Sequence, residues 1–152
     1  MKRRPLLHAA WYWMLTLVFS DVYAFRAQDR DDKKKQVTVV ILGVSPLDKK
    51  AMTAALKKER DASAAMTIAN LAKMGSAVFW IEQSGKIGNF GVFIGGMNQC
   101  LGRDLKSDVK LNTVKRVEGR VSDDDKRDTH RCKIDLRFAV DLADVGPPVG
   151  ND

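Results

Sequence analysis

The sequence predicts an α+β domain in which a mixed, mostly antiparallel sheet carries one or two helices packed on one face. Three patterns predict this fold class. A continuous β-branched and apolar run over 37–44 is typical of a strand covered on both faces. A stretch without proline or glycine over 47–74, rich in Ala, Lys, Leu and Met, predicts helix. Alternation of apolar and polar residues over 109–121, and again over 132–142, predicts two strands that each have one dry face.

Length and composition fit one folded domain. The chain has 152 residues, of which 45% are apolar and 30% charged, and it contains no repetitive tract. These values exclude collagen, a disordered low-complexity chain and a polytopic membrane protein. The chain is long enough to bury one sizeable core without many disulfides.

The helical stretch has a clear start signal. Ser45 offers an N-cap, and Pro46 suits the first helical position. The stretch is long for one helix, so residues 61–63, which include two capping residue types, are expected to divide it. A strand over 76–83 follows. A helical connection between two strands predicts that this strand pairs in parallel with the strand over 37–44.

A glycine-rich segment follows the second predicted strand. Residues 87–94 predict a third strand, and the glycines within it indicate a bulge or a close backbone neighbour. A self-associating or membrane-contacting hairpin over 87–97 is the alternative. The glycine spacing matches no phosphate-binding loop. The strands over 109–121 and 132–142 are joined by a polar loop and are expected to form a long antiparallel hairpin.

The N-terminal segment predicts export. A basic head at 2–4 precedes an apolar run over 6–20, and together they are typical of a secretory signal peptide. The run is short for a membrane-spanning helix, which needs about 20 residues. Val22 and Ala24 place the predicted cleavage between Ala24 and Phe25. Retention of the segment as an N-terminal membrane anchor is the alternative.

The predicted organisation has four parts. They are a signal peptide over 1–24, a charged N-terminal arm over 25–36, a single α+β domain over 37–145 and a flexible tail over 146–152. The arm is expected to be flexible because it is charged and has no periodic apolar pattern. The tail is expected to be flexible because it is rich in glycine and proline. After cleavage we expect no stable membrane span.

The charge pattern bears on which partners the protein can bind, and the cysteine content bears on its cellular compartment. The net charge is +7, but the bases are spread along the chain with acids between them. Nucleic-acid binding requires a basic face with aromatic stacking residues, so we expect no nucleic-acid partner. Cys100 and Cys132 are expected to form a disulfide in an oxidising compartment, which would stabilise the fold by about 3–4 kcal/mol. Two buried thiols that never meet are the alternative.

The sequence shows no catalytic or metal-ligating set, and we expect no cofactor. His130 is the histidine outside the leader, and it lies in a polar loop with no nucleophile motif beside it. The acidic stretch over 123–128 does not have the spacing of a calcium-binding loop. Carboxylates contributed by distant strands leave a small secreted hydrolase as an alternative function.

Three segments resemble the curli-secretion lipoprotein family and its relatives, the periplasmic penicillin-binding-protein activators. They are VTVVILGV at 37–44, TIANLAKMGSAVFW at 67–80 and CKIDLRFAVDLADVG at 132–146. The resemblance implies a non-enzymatic envelope domain that works through protein contacts, including contacts between copies of itself. No cysteine lies next to the predicted cleavage site, so the family's lipid anchor is not carried over.

The sequence therefore predicts an exported, non-enzymatic binding or assembly domain that acts through protein–protein contacts in the cell envelope. Its expected location is secreted or periplasmic. The expected partner is an envelope or extracellular protein, and homo-oligomers are one form this contact can take. The alternatives are the carboxylate hydrolase and a membrane-associated protein anchored by its N-terminal apolar segment.

Overall fold

The computed structural model describes residues 17–29, 31–59, 75–95, 97–101, 105–123 and 134–146, and this part of the chain holds eight strands and one helix. The helix is α1 (Lys49–Lys58), which follows the second strand. The strands are β1 (Asp21–Gln28), β2 (Gln36–Gly43), β3 (Ser76–Glu82), β4 (Ile87–Ile94), β5 (Met97–Leu101), β6 (Leu105–Asn112), β7 (Arg116–Asp123) and β8 (Asp135–Asp141).

The strands form two antiparallel sheets. The large sheet has the order β1-β2-β3-β4-β5, and the small sheet has the order β6-β7-β8. In both sheets each strand pairs antiparallel with the next strand along the chain. Such meanders arise when every connection is short or returns to the end of the sheet that it left.

The predicted α+β fold class is wrong, because the described chain is mostly antiparallel β-sheet. Two misreadings explain the error. β1 was assigned to the leader and the arm, and the alternating stretch over 109–121 is not one strand. It contains the end of β6, a turn at 113–115 and the start of β7. The expected long hairpin is therefore a three-stranded meander.

The predicted parallel pairing of the second and third strands is also wrong. Gly43, the last residue of β2, pairs with Ser76, the first residue of β3. Next to this pair, the Val44 backbone N–H donates to the Gly75 carbonyl over 3.1 Å. The connection between β2 and β3 therefore returns to the end of the sheet that it left, and β3 must run antiparallel.

The helix is shorter at its start than predicted. It begins at Lys49, and its N-cap is Asp48 rather than Ser45, since the Asp48 side chain accepts a hydrogen bond from the Ala51 N–H over 3.0 Å. Met52 and Leu56 are the fully buried residues of α1. Residues 60–74 of the predicted helical stretch lie outside the described residues.

Both faces of the large sheet are covered. On one face, Met52 and Leu56 of α1 pack with Val39 and Ile41 of β2. The opposite face packs against the small sheet in a cluster formed by alternate large-sheet residues and the inner residues of β7 and β8. The principal members of that second cluster are Ala24, Val40, Leu42, Phe79, Phe90, Val117, Val121 and Phe138. The continuous apolar run that predicted a strand covered on both faces is confirmed in β2.

Three apolar residues of β4 are buried between the two sheets. Ile87, Phe90 and Val92 are each less than a tenth exposed and belong to the cluster between the two sheets. Phe79 and Phe90 stack with ring centroids 6.0 Å apart. These contacts place the predicted membrane-contacting hairpin within the large sheet. Among the described residues, no helix is both long enough and apolar enough to cross a bilayer.

Asp21 fastens the start of β1 to the segment that precedes α1. Its carboxylate accepts a hydrogen bond from the Leu47 N–H over 2.9 Å and lies 3.0 Å from the Lys49 ammonium. Burial raises the pKa of Asp21, but the hydrogen bonds from Leu47, Lys49 and Val22 outweigh burial and hold the pKa below its ordinary value.

We expect Gly119→Ala to lower the free energy of unfolding by about 1–3 kcal/mol, measured by urea denaturation. A Cβ at Gly119 would lie 2.9 Å from the Asp108 carbonyl oxygen and 3.3 Å from the Phe138 ring, so the strands would have to move apart. Gly88→Ala is the matched control. Its Cβ would meet the flexible Glu82 carboxylate at 3.3 Å, and stability should stay within about 0.5 kcal/mol of wild type. Equal losses in both variants would contradict the close approach at Gly119.

We expect Asp21→Asn to flatten the acid side of the stability profile. A carboxylate whose pKa is lowered in the folded state stabilises the fold above its unfolded pKa of about 3.9, and this stabilisation is lost as the pH falls through the folded pKa. Wild type should therefore lose more unfolding free energy than Asp21→Asn between about pH 5 and pH 3. Thermal denaturation across this range measures the difference, and parallel profiles would contradict the role of Asp21.

Candidate functional site

A cavity of about 390 Å³ opens where the two sheets meet the residues that follow β8. We call it the arginine pocket. Its walls are the end of β1 and the first residue of β2, the β6–β7 turn and the segment after β8. The lining residues are 26–28, 36, 114, 115 and 142–146. Clefts between packed elements that combine apolar walls with a few polar groups are common binding sites.

The segment after β8 builds one wall of the arginine pocket by crossing from the small sheet to the large one. The Leu142 N–H donates to the Lys115 carbonyl over 2.8 Å, and the Ala143 N–H donates to the Ala24 carbonyl over 2.8 Å. Ala24 and Leu142 form an isolated parallel bridge. Backbone hydrogen bonds to both sheets therefore fix this wall in position.

Arg26 is the unusual side chain of the arginine pocket. It pairs across β1–β2 with Thr38, and its nearest polar contact is Gln36, whose Oε1 lies 3.5 Å from Nη1. The Arg26 Nε atom is buried and has no hydrogen-bond partner. No ion pair involves Arg26 within the part of the chain that the structure describes. A buried donor without a partner costs about 1–3 kcal/mol, so this guanidinium is poorly compensated by the protein itself.

A second cation and an apolar side chain lie at the mouth of the arginine pocket. Lys115 and Val114 follow Thr113 in the β6–β7 turn, and Val114 is 71% exposed. The Thr113 hydroxyl accepts hydrogen bonds from the N–H groups of Lys115 and Arg116 over 3.2 and 3.0 Å, which fixes the turn. The lining of the arginine pocket therefore combines the Lys115 cation and an exposed apolar side chain with one exposed carboxylate, that of Asp144.

Two other guanidinium groups, those of Arg116 and Arg120, form ion pairs with carboxylates. Arg116 lies 2.7 Å from Glu118 and 2.8 Å from Asp141. Arg120 donates two hydrogen bonds of 2.8 Å to the two carboxylate oxygens of Asp135. The hydrogen bond from Arg120 lowers the pKa of Asp135 below its ordinary value. These ion pairs lie on the outer face of the small sheet and neutralise each other, in contrast to Arg26.

The chemistry available in the arginine pocket is anion binding. A guanidinium stays protonated at any physiological pH, so it serves as a fixed donor and not as a general base. Its fork of N–H groups matches a carboxylate, which accepts two parallel hydrogen bonds. Among the described residues, no three His, Cys, Asp or Glu side chains come close enough to hold a metal ion.

The residues singled out from the sequence are not brought together in the arginine pocket. Ala24 and Phe25 lie in the middle of β1, and their side chains are at most 1% exposed. Cys100 belongs to β5, but Cys132 lies outside the described residues, so the disulfide stays a prediction. The loop with His130 also lies outside the described residues.

Arg26 was missed because it falls in the stretch interpreted as a charged arm. The signal that could have found it is the alternation through β1, in which Tyr23 and Phe25 face α1 while Ala24 faces the small sheet. Because side chains alternate along a strand, Arg26 points to the same side as Ala24, towards the small sheet. A charged residue at an inward-facing strand position is unusual and is informative about function.

Comparison with protein-family models, with curated proteins and with solved structures gave no match to this chain. The interpretation of the arginine pocket therefore depends on its own residues.

We expect Arg26→Met to leave the free energy of unfolding unchanged or to raise it. Methionine fills a similar volume and removes a charge with an unpaired donor, and replacing poorly compensated buried charges by apolar groups is often stabilising. Arg120→Met is the matched control, and it should lower stability slightly because it removes an exposed two-bond ion pair. Urea denaturation of both variants measures the contrast. A loss above about 2 kcal/mol in Arg26→Met would show that Arg26 serves the fold.

Proposed function

We propose that this chain is an exported, non-enzymatic binding domain that acts through protein–protein contacts in the cell envelope, and that its arginine pocket receives a carboxylate of the partner. The observation that carries the proposal is Arg26, a partly buried guanidinium whose Nε has no partner and which lines an open cavity. The expected partner is an envelope or extracellular protein.

The arrangement of Arg26 supports binding rather than stability as its role. Its Nε has no partner and its Nη1 reaches only the Gln36 amide oxygen, at 3.5 Å, whereas Arg116 and Arg120 each form ion pairs with carboxylates. A ligand carboxylate would supply the missing acceptors and the missing negative charge together. Hydrogen bonds that involve an ionised group contribute about 1.5–3 kcal/mol each. One such contact in the pocket can therefore supply a large share of the binding free energy of a small interface.

The mouth of the arginine pocket supports a peptide carboxylate over a free inorganic anion. Lys115 adds positive charge at the rim, and Val114 next to it offers an exposed apolar contact. A chain end with an apolar final side chain carries both complementary features, a carboxylate and a hydrophobic group. An acidic side chain beside an apolar residue carries the same two features.

The leader supports export. A basic head at 2–4 and an apolar run over 6–20 form the pattern that translocation machinery recognises. Outside the cytosol, a small domain with a pre-formed pocket and without a catalytic set in its described residues is suited to holding another protein.

The binding part of the proposal is tested with N-acetyl-alanyl-leucine as the free acid and as the amide. We expect the free acid to cause saturable amide chemical-shift changes centred on Arg26 and Lys115 in the nitrogen-15 spectrum of the protein, and the amide to cause none. Arg26→Met should weaken the affinity for the free acid by about tenfold or more, because it removes a charge-assisted contact.

Lys57→Met is the matched control for this measurement. It removes a surface lysine of α1, which lies outside the arginine pocket, and affinity should stay at the wild-type value. Equal shifts with acid and amide, or shifts that avoid the pocket, would overturn the role assigned to Arg26.

A further inference from the structure

The start of β1 is built into the fold as firmly as its centre. Asp21 pairs with Gly43, and the β1–β2 register is unbroken from there to Gln28. The Asp21 carboxylate holds the Leu47 N–H and the Lys49 ammonium at 2.9 and 3.0 Å. The first four residues of β1, 21–24, are therefore part of the packed domain.

Removal of residues 21–24 would damage the core. Tyr23 is 3% exposed, and its hydroxyl lies 2.8 Å from the Thr53 hydroxyl of α1. Ala24 accepts the backbone hydrogen bond from Ala143 that closes one wall of the arginine pocket. Phe25 is fully buried, so a cut after Ala24 would place a new charged amino group in an apolar environment, which is costly.

The residues just before β1 are packed less completely than β1 itself. Leu17 and Phe19 are partly buried against the cluster between the two sheets, but Val18 is 74% exposed, Ser20 is exposed, and residues 17–20 form no regular element. Two hydrogen bonds hold Ser20 in place, from its N–H to the Gly43 carbonyl and from its hydroxyl to the Val44 carbonyl, both over 2.9 Å. Regular strand structure therefore begins at Asp21.

The sequence at this boundary has the form of a signal-peptide cleavage site. Val18 and Ser20 stand three residues and one residue before the Ser20–Asp21 bond, as Val22 and Ala24 stand before the bond after Ala24. The sequence pattern alone is compatible with cleavage at either the Ser20–Asp21 bond or the Ala24–Phe25 bond. The packing of β1 favours the first.

We propose that the leader is removed by hydrolysis of the Ser20–Asp21 peptide bond, and this rests on the proposed export of the chain. Water supplies the hydroxyl that completes the Ser20 carboxylate and the proton that completes the Asp21 amine, and the exporting cell's signal peptidase catalyses the step. The new ammonium group is on the same residue as the Asp21 carboxylate. It lies at the end of β1, where residues 17–20 would otherwise continue the chain.

The test is expression of the full chain, with its own leader, in a bacterium that exports proteins through the general secretory pathway. The product is recovered from the fraction outside the cytosol, and its intact mass and N-terminal sequence are measured. We expect the sequence to begin at Asp21. An exported product that begins at Phe25, or that keeps its leader, would overturn this inference and leave the proposed export intact. A product that stays in the cytosol with its leader would overturn both.

Two matched variants locate the bond independently. Ser20→Leu places a bulky residue directly before the proposed bond, so products that begin at Asp21 should fall at least about tenfold, because the peptidase accepts small residues there. Ala24→Leu makes the same change at the other site and should leave Asp21 as the first residue. The leader is cut during translocation, so the N-terminus is informative even where a variant folds poorly. Loss of cleavage in Ala24→Leu with normal cleavage in Ser20→Leu would overturn the assignment.

Discussion

Coverage of the large sheet on both faces is the constraint on which the rest of the structure depends. β2 shows it most directly, because Val39 and Ile41 pack on the side of α1 while Val40 and Leu42 pack against the small sheet. A strand in this position has no solvent-facing side, so a polar side chain within it needs a hydrogen-bond partner. Thr38 of β2 has one, because its hydroxyl donates to the Asn112 side chain over 2.8 Å. Nearer the strand ends, hydrogen-bond partners or an opening to solvent are within reach. Asp21 and Arg26 occupy such positions at opposite ends of β1.

Much of the sheet could be predicted from the sequence, but not its connections. The strands expected over 37–44, 76–83 and 87–94 correspond to β2, β3 and β4. The alternation downstream correctly assigned Val117, Val121 and Phe138 to the dry side. An apolar run covered on both faces is also found in an antiparallel sheet when a second layer packs on each face. The apolar run therefore does not predict whether the neighbouring strand is parallel or antiparallel.

β1 and the arginine pocket could not be predicted, for one shared reason. The apolar side chains of β1 continue directly from the apolar run over 6–20, and the charged residues after β1 resemble an unstructured arm. Arg26 becomes unusual only once its neighbours Phe25 and Ala27 are seen to be buried. The pocket also requires residues 142–146, which are far from Arg26 in sequence and are brought to it by the hydrogen bond between Ala24 and Ala143. No local pattern encodes a contact over such a separation.

That hydrogen bond joins β1 to a segment far along the chain. Val145 belongs to the same cluster as Tyr23 and Phe25, and Leu142 bridges to Ala24, so the packing around β1 is complete only when the segment after β8 docks. Closure over most of the chain's length is entropically slow. Under the proposed export, this late closure would leave the segment after β8 undocked while the chain passes through a narrow channel.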